Sequence, residues 1–114
     1  MSTLADLSAP LRALRLICAD HPDLPAPNLD VCPIYPERLH LSFHSMSDTV
    51  PSLAAFEVWR AALGVPDSTV DGHFQSDGRT WVLKARGEYA GATVELTAYA
   101  DVPPVPAPVM RGAV

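Results

Sequence analysis

Alternation and helical spacing divide this chain into seven elements. Leu39, Leu41 and Phe43 alternate with His40, Ser42 and His44, the period of a strand with one buried face, so the apolar side chains are expected inward and the histidines outward. Upstream, Leu7, Leu11, Leu14, Ile17 and Cys18 recur at helical spacing with Arg12, Arg15 and Asp20 opposite them, which predicts an amphipathic helix over about residues 9–19. Ser8 is its expected N-cap. Pro10 is tolerated in a first turn, where the missing amide has no intrahelical partner, and His21-Pro22 marks the far boundary. The stiff linker HPDLPAPN leads into LDVCPIYPERLHLSFHS, two short strands around a turn of Tyr35, Pro36, Glu37 and Arg38. Pro33 has no amide to give a ladder, so the first strand belongs at a sheet edge.

The segment VPSLAAFEVWRAALGVP places Leu53, Phe56, Trp59 and Leu63 on one stripe of a second helix. Ser47 or Thr49 can cap its start, and Gly64 with Pro66 ends it. Burial of those four side chains across a sheet is worth about 1.5–3 kcal/mol each, with Trp59 anchoring the core.

Three strands align by counting over residues 69–100. Asp77-Gly78 is the preferred pair for a two-residue hairpin in which both central residues take positive φ. Ser76 then faces Arg79, Phe74 faces Trp81 on one side, and Asp71 faces Lys84 on the other, so one register yields an aromatic pair and an opposite-charge pair. A four-residue loop over residues 87–90 keeps Trp81, Leu83 and Ala85 on the same face as Ala92, Val94 and Leu96. An odd loop length would invert one strand.

These elements specify an α+β two-layer sandwich of order α-β-β-α-β-β-β, with a mostly antiparallel sheet and two helices on one face. Residues 1–102 form a single domain, and the Pro-rich residues 103–114 a flexible tail. A net charge of -5 repels phosphate and makes a nucleic-acid partner unfavourable. Arg79, Lys84 and Arg86 offer a nucleic-acid regulator only a small basic patch, flanked by carboxylates. One lysine against seven arginines fits a GC-rich genome. No membrane-spanning apolar run or secretory leader is legible, so a cytoplasmic protein with no membrane partner is expected. Cys18, on a helix, and Cys32, in a strand, have no CxxC spacing, and buried reduced thiols are expected.

The outer sheet face collects Asp71, His73, Lys84, Arg86, Glu95 and Tyr99, mixed charges that read as a solvated surface with cross-strand pairs of Asp71 and Glu95 to Lys84. His40 and His44 lie roughly 13 Å apart on one strand and share no metal there. A metal or small-ligand site at His40, His44, Asp71 and His73 requires a neighbouring strand to bring in the last two. There is no GxSxG elbow and no GxGxxG or GxxxxGK loop, so neither an enzyme nor a nucleotide cofactor is expected. VPPVP matches a PxxP ligand on paper but sits in the tail.

The segments LRALRLICADHPDLPAP, AFEVWRAALGV and GRTWVLKARGEYAGATVELTAYADVP together resemble a group of small uncharacterised actinobacterial proteins, often of phage or mobile-element origin. The resemblance covers most of residues 11–102 and implies an accessory protein, with no catalytic residue to carry over. The expected role is non-catalytic: binding a protein partner, or self-association as a homodimer, through an exposed sheet face or edge. Arg86, Tyr89 and Tyr99 are the candidate contacts, because Arg and Tyr carry interface energy.

Overall fold

The computed structural model describes residues 2–44, 51–75 and 78–101. The expected caps Ser47 and Thr49, the pairing of Ser76 with Arg79, residue Asp77 and the expected tail lie outside the described residues. The order is α1 (Ser8–Asp20), β1 (Asn28–Asp30), β2 (Arg38–His44), α2 (Ser52–Leu63), β3 (Asp71–Gln75), β4 (Thr80–Tyr89) and β5 (Ala92–Asp101), an α+β fold as expected. In space the five strands run β1-β2-β5-β4-β3. All neighbours are antiparallel except β2 and β5, which are parallel. Three hairpins fall out of the sequence pattern. The central parallel pairing does not, because the chain leaves β2 through α2, reaches the far edge at β3 and meanders back until β5 fills the gap.

The strand parity holds across the sheet. Leu39, Leu41 and Phe43 of β2 face Val94, Leu96 and Ala98 of β5, and all six are buried in one cluster with Ile17 of α1 and Phe56 and Trp59 of α2. Both helices therefore lie on this inward face, α1 over β2 and β5, α2 over β5, β2 and β4. Trp59 is 3% exposed; its indole N–H donates to the Pro25 carbonyl at 2.7 Å and its ring lies 6.1 Å from that of Phe43. One side chain thus ties the Pro-rich linker to the core, and burial leaves its N–H satisfied. Gly64, at φ 72, closes α2 in the left-handed cap that glycine adopts without a Cβ penalty. Arg60, bonded to the Val65 carbonyl and paired with Glu57 and Asp67, braces that end. The Arg60 hydrogen bond holds the Glu57 carboxyl below its ordinary value.

Several expectations need correction. The helix begins upstream of Ser8, as a 3-10 turn over Leu4–Leu7 started by the Thr3 amide donating to the Asp6 carboxylate at 2.9 Å. The buried line of α1 is Pro10, Ala13 and Ile17, not the leucines: small Ala13 lets the helix approach the sheet, rolling it by roughly a quarter turn and leaving Leu11 and Cys18 exposed. On α2, Leu53 is exposed and Ser52 takes its place, its hydroxyl donating to the Tyr99 carbonyl at 2.7 Å. Cys32 sits beyond β1 in a turn and is half-buried, so neither thiol is a core residue. The turn from Tyr35 to Arg38 forms as expected, with the Arg38 amide donating to the Tyr35 carbonyl at 3.0 Å, and β1 is an edge.

The meander keeps its register at one turn and shifts it at the other. Asp71 faces Lys84 and Phe74 faces Trp81, as counted from Asp77-Gly78. The second turn is not residues 87–90 but Ala90-Gly91, both at positive φ (50 and 85), so β4 and β5 are longer and Arg86 faces Glu95. Replacing a four-residue loop by a two-residue one preserves parity, which is why the inward set survives. Gly87 reads as a loop residue yet lies mid-strand, because a Cβ there would stand 2.7 Å from Cγ2 of buried Val65. Trp81 and Leu83 point inward but are only half-buried, on the part of β4 that pairs with the edge strand β3.

Candidate functional site

Opposite the helices, the outward face of the sheet is an open concavity of about 670 Å³. Outward residues of the three middle strands line it: Arg38 and His40 from β2, Lys84 and Arg86 from β4, Glu95 and Thr97 from β5. No described helix covers this face. Even so, Val82 is 1% and Thr97 4% exposed, and Thr97 is part of the lining of the concavity. Nε2 of His40 and the Thr97 hydroxyl share a hydrogen bond at 3.0 Å, which satisfies that buried hydroxyl.

Glu95 is the electrostatic hub. Arg86 bonds it at 2.5 Å from one side and Arg38 lies 3.5 Å away on the other. The expected partner of Glu95 was Lys84; the four-residue shift at the second turn exchanges it for Arg86. Arg38, Lys84 and Arg86 share the lining with Asp30, Asp71 and Glu95, so its formal charges balance. Among the described residues no ion pair joins Lys84 to Asp71, although the two face each other in register. Arg38 also lies over the Tyr35 ring, 4.2 Å from its centroid, a cation–π contact that fixes the guanidinium at the rim. The surface therefore combines two arginines held by Glu95, the Lys84 ammonium and a tyrosine ring around the buried Thr97.

The candidate contacts separate. Arg86 stands on this face and remains largely exposed. Tyr99, directly opposite His44 in the parallel ladder, stacks on its ring at 4.8 Å and 13° and lines the concavity. Tyr89 does not belong here. It shares the inward parity of Gly87 and Ala85, and its hydroxyl donates to Asp20 at the end of α1. That hydrogen bond is the largest cause holding its phenol above the ordinary value, followed by desolvation and the nearby Asp20 charge.

His40, His44, Asp71 and His73 are not brought together. The first two are on β2 and the others on β3, with β5 and β4 between, three strand spacings or about 14 Å. His40 and Asp71 line opposite sides of the concavity, and His44 and His73 lie outside its lining. Among the described residues no three His, Cys, Asp or Glu side chains are grouped to hold a metal ion.

Arg38 and Tyr35 are the contributors that sequence reasoning missed. Parity with His40 places Arg38 outward, but only the parallel contact of β2 with β5 brings it to Glu95, and no local pattern encodes that contact. Comparison with family models, with curated proteins and with solved structures finds no match to the chain. No helix among the described residues is long and apolar enough to cross a membrane.

Proposed function

We propose that this chain is a non-catalytic accessory protein that binds a protein partner on the outward face of its sheet. The observation that supports this reading is the one-sided construction. Two helices cover the inward face, while the outward face is a concavity carrying Tyr35, Arg38, Lys84, Arg86 and Tyr99, and Tyr and Arg are the residue types in which interfaces concentrate their energy. The hub of Glu95 with its two arginines holds those cations in place before binding, which reduces the ordering cost of association. The lining carries both signs, Arg38, Lys84 and Arg86 with Asp30, Asp71 and Glu95, which favours a partner of complementary mixed charge. An accessory role, of phage or mobile-element origin, is also what the resemblance of the linker, second helix and meander implies.

Affinity purification from the native host, with mass-spectrometric identification, supplies the partner, and calorimetry with that purified partner tests the face. Arg86→Ala with Tyr99→Ala should weaken affinity at least tenfold, as hot-spot truncations of about 1–2 kcal/mol do. Tyr89→Phe should leave it unchanged. An affinity insensitive to the Arg86 and Tyr99 changes refutes the reading.

The volume of the concavity favours one alternative, a small polar ligand, since such sites run to about 300–1,000 Å³. In that case His40 and Asp71, which line it, replace the four-residue cluster. A thermal shift with a small ligand, or with zinc or nickel, that His40→Ala abolishes would select this alternative over a protein partner.

A further inference from the structure

We propose that β3 pairs with β3 of a second copy, antiparallel about a two-fold axis through His73, joining two five-stranded sheets into one of ten. The two edges of the sheet differ in how they are protected. β1 is three residues long and bounded by Pro27 and Pro33, both of which block further pairing. β3 has five residues, all exposed, with no proline, lysine or arginine. Its outer backbone edge has no neighbouring strand among the described residues. Such an edge is a template for another strand.

The sequence of β3 favours itself as that strand. With His73 opposite His73, antiparallel pairing sets Phe74 opposite Gly72 twice and Asp71 opposite Gln75 twice, and every residue keeps its face. Phe74 is 61% exposed, a large ring on the inward side of an edge that no helix among the described residues covers. Gly72 has no side chain, and the ring of Trp81 lies over it: a Cβ there would stand 2.5 Å from the indole Cζ2. Phe74 of the second copy therefore meets the Trp81 ring across Gly72. The existing pair of Phe74 and Trp81, with centroids 4.6 Å apart, becomes a continuous cluster of four rings. Aromatic pairs of this kind add stability beyond their area. On the outward side Asp71 meets the Gln75 amide rather than another charge, so no like charges are opposed.

Sedimentation equilibrium of the full chain over a rising concentration series tests the association. The expected result is a shift from the mass of one chain to twice that mass, with Phe74→Lys holding the protein at one chain while its circular dichroism keeps the spectrum of the folded chain. Register is read by oxidation in a Cys18→Ser, Cys32→Ser background. His73→Cys places two thiols opposite one another at the axis, within disulfide reach, and should cross-link. Gln75→Cys faces Asp71 and should not. A single-chain mass at every concentration, a dimer indifferent to Phe74→Lys, or equal cross-linking through both cysteine positions overturns the proposal.

Discussion

The two faces of this sheet are written by alternate residues of the same strands, and they solve different problems. Inward, Leu39, Leu41, Val94 and Leu96 are fully buried under two helices, and close packing leaves no room for adjustment. Outward, Arg38, Glu95 and Arg86 hold one another at the surface. Folding energy is concentrated on one side. The other is free to carry recognition, because substituting an exposed ion pair costs little stability.

The sharpest break of that comparison is Phe56→Ala, which empties the middle of the helical layer and should cost about 3–5 kcal/mol, read as a loss of urea midpoint. Gly87→Ala comes next. Its new Cβ collides with Val65, and a loss of about 1–3 kcal/mol is expected, with Val65→Ala relieving part of it in a double-mutant cycle. Ala90→Asn acts in the opposite direction, since an alanine at φ 50 carries a left-handed penalty that asparagine tolerates; a gain of about 1 kcal/mol is expected. On the outward face, Arg86→Ala should change stability by less than about 1 kcal/mol, with a still smaller effect in high salt. A loss comparable to that of Phe56→Ala would erase the distinction between the faces.

Tyr89 gives the finest test. Its phenol is held above the ordinary value by Asp20, so its contribution is intact below about pH 10, where an unfolded tyrosine titrates, and disappears as pH rises through the higher folded value. Tyr89→Phe should remove one late-titrating phenol from the tyrosinate absorbance curve and flatten the alkaline limb of the stability profile.

How much of this was legible in the sequence follows from the range of each interaction. The register of Asp71 with Lys84 and Phe74 with Trp81 was readable because a tight turn fixes its flanking pairs locally. The inward set survived a misplaced second turn because parity depends only on whether the loop length is even. The roll of α1 was hidden, since Leu7, Leu11 and Leu14 look like a core stripe until Ala13 sets how closely the helix docks. The Glu95 hub was hidden as well: it joins Arg38 to Arg86 through a parallel pairing of β2 with β5, between segments some fifty residues apart. Tyr89 was read as a loop residue because β4 was expected to end at Arg86, whereas it continues to Tyr89 with the inward parity.

The position of β5 between β2 and β4 also constrains how the protein can be made. During synthesis the β1-β2 hairpin and the β3-β4 hairpin emerge first, yet neither touches the other through the sheet until β5 slides between them. Until β5 has been made the two hairpins are held together only by α2, which packs on both β2 and β4, and cooperative folding waits for a keystone that arrives after everything it locks.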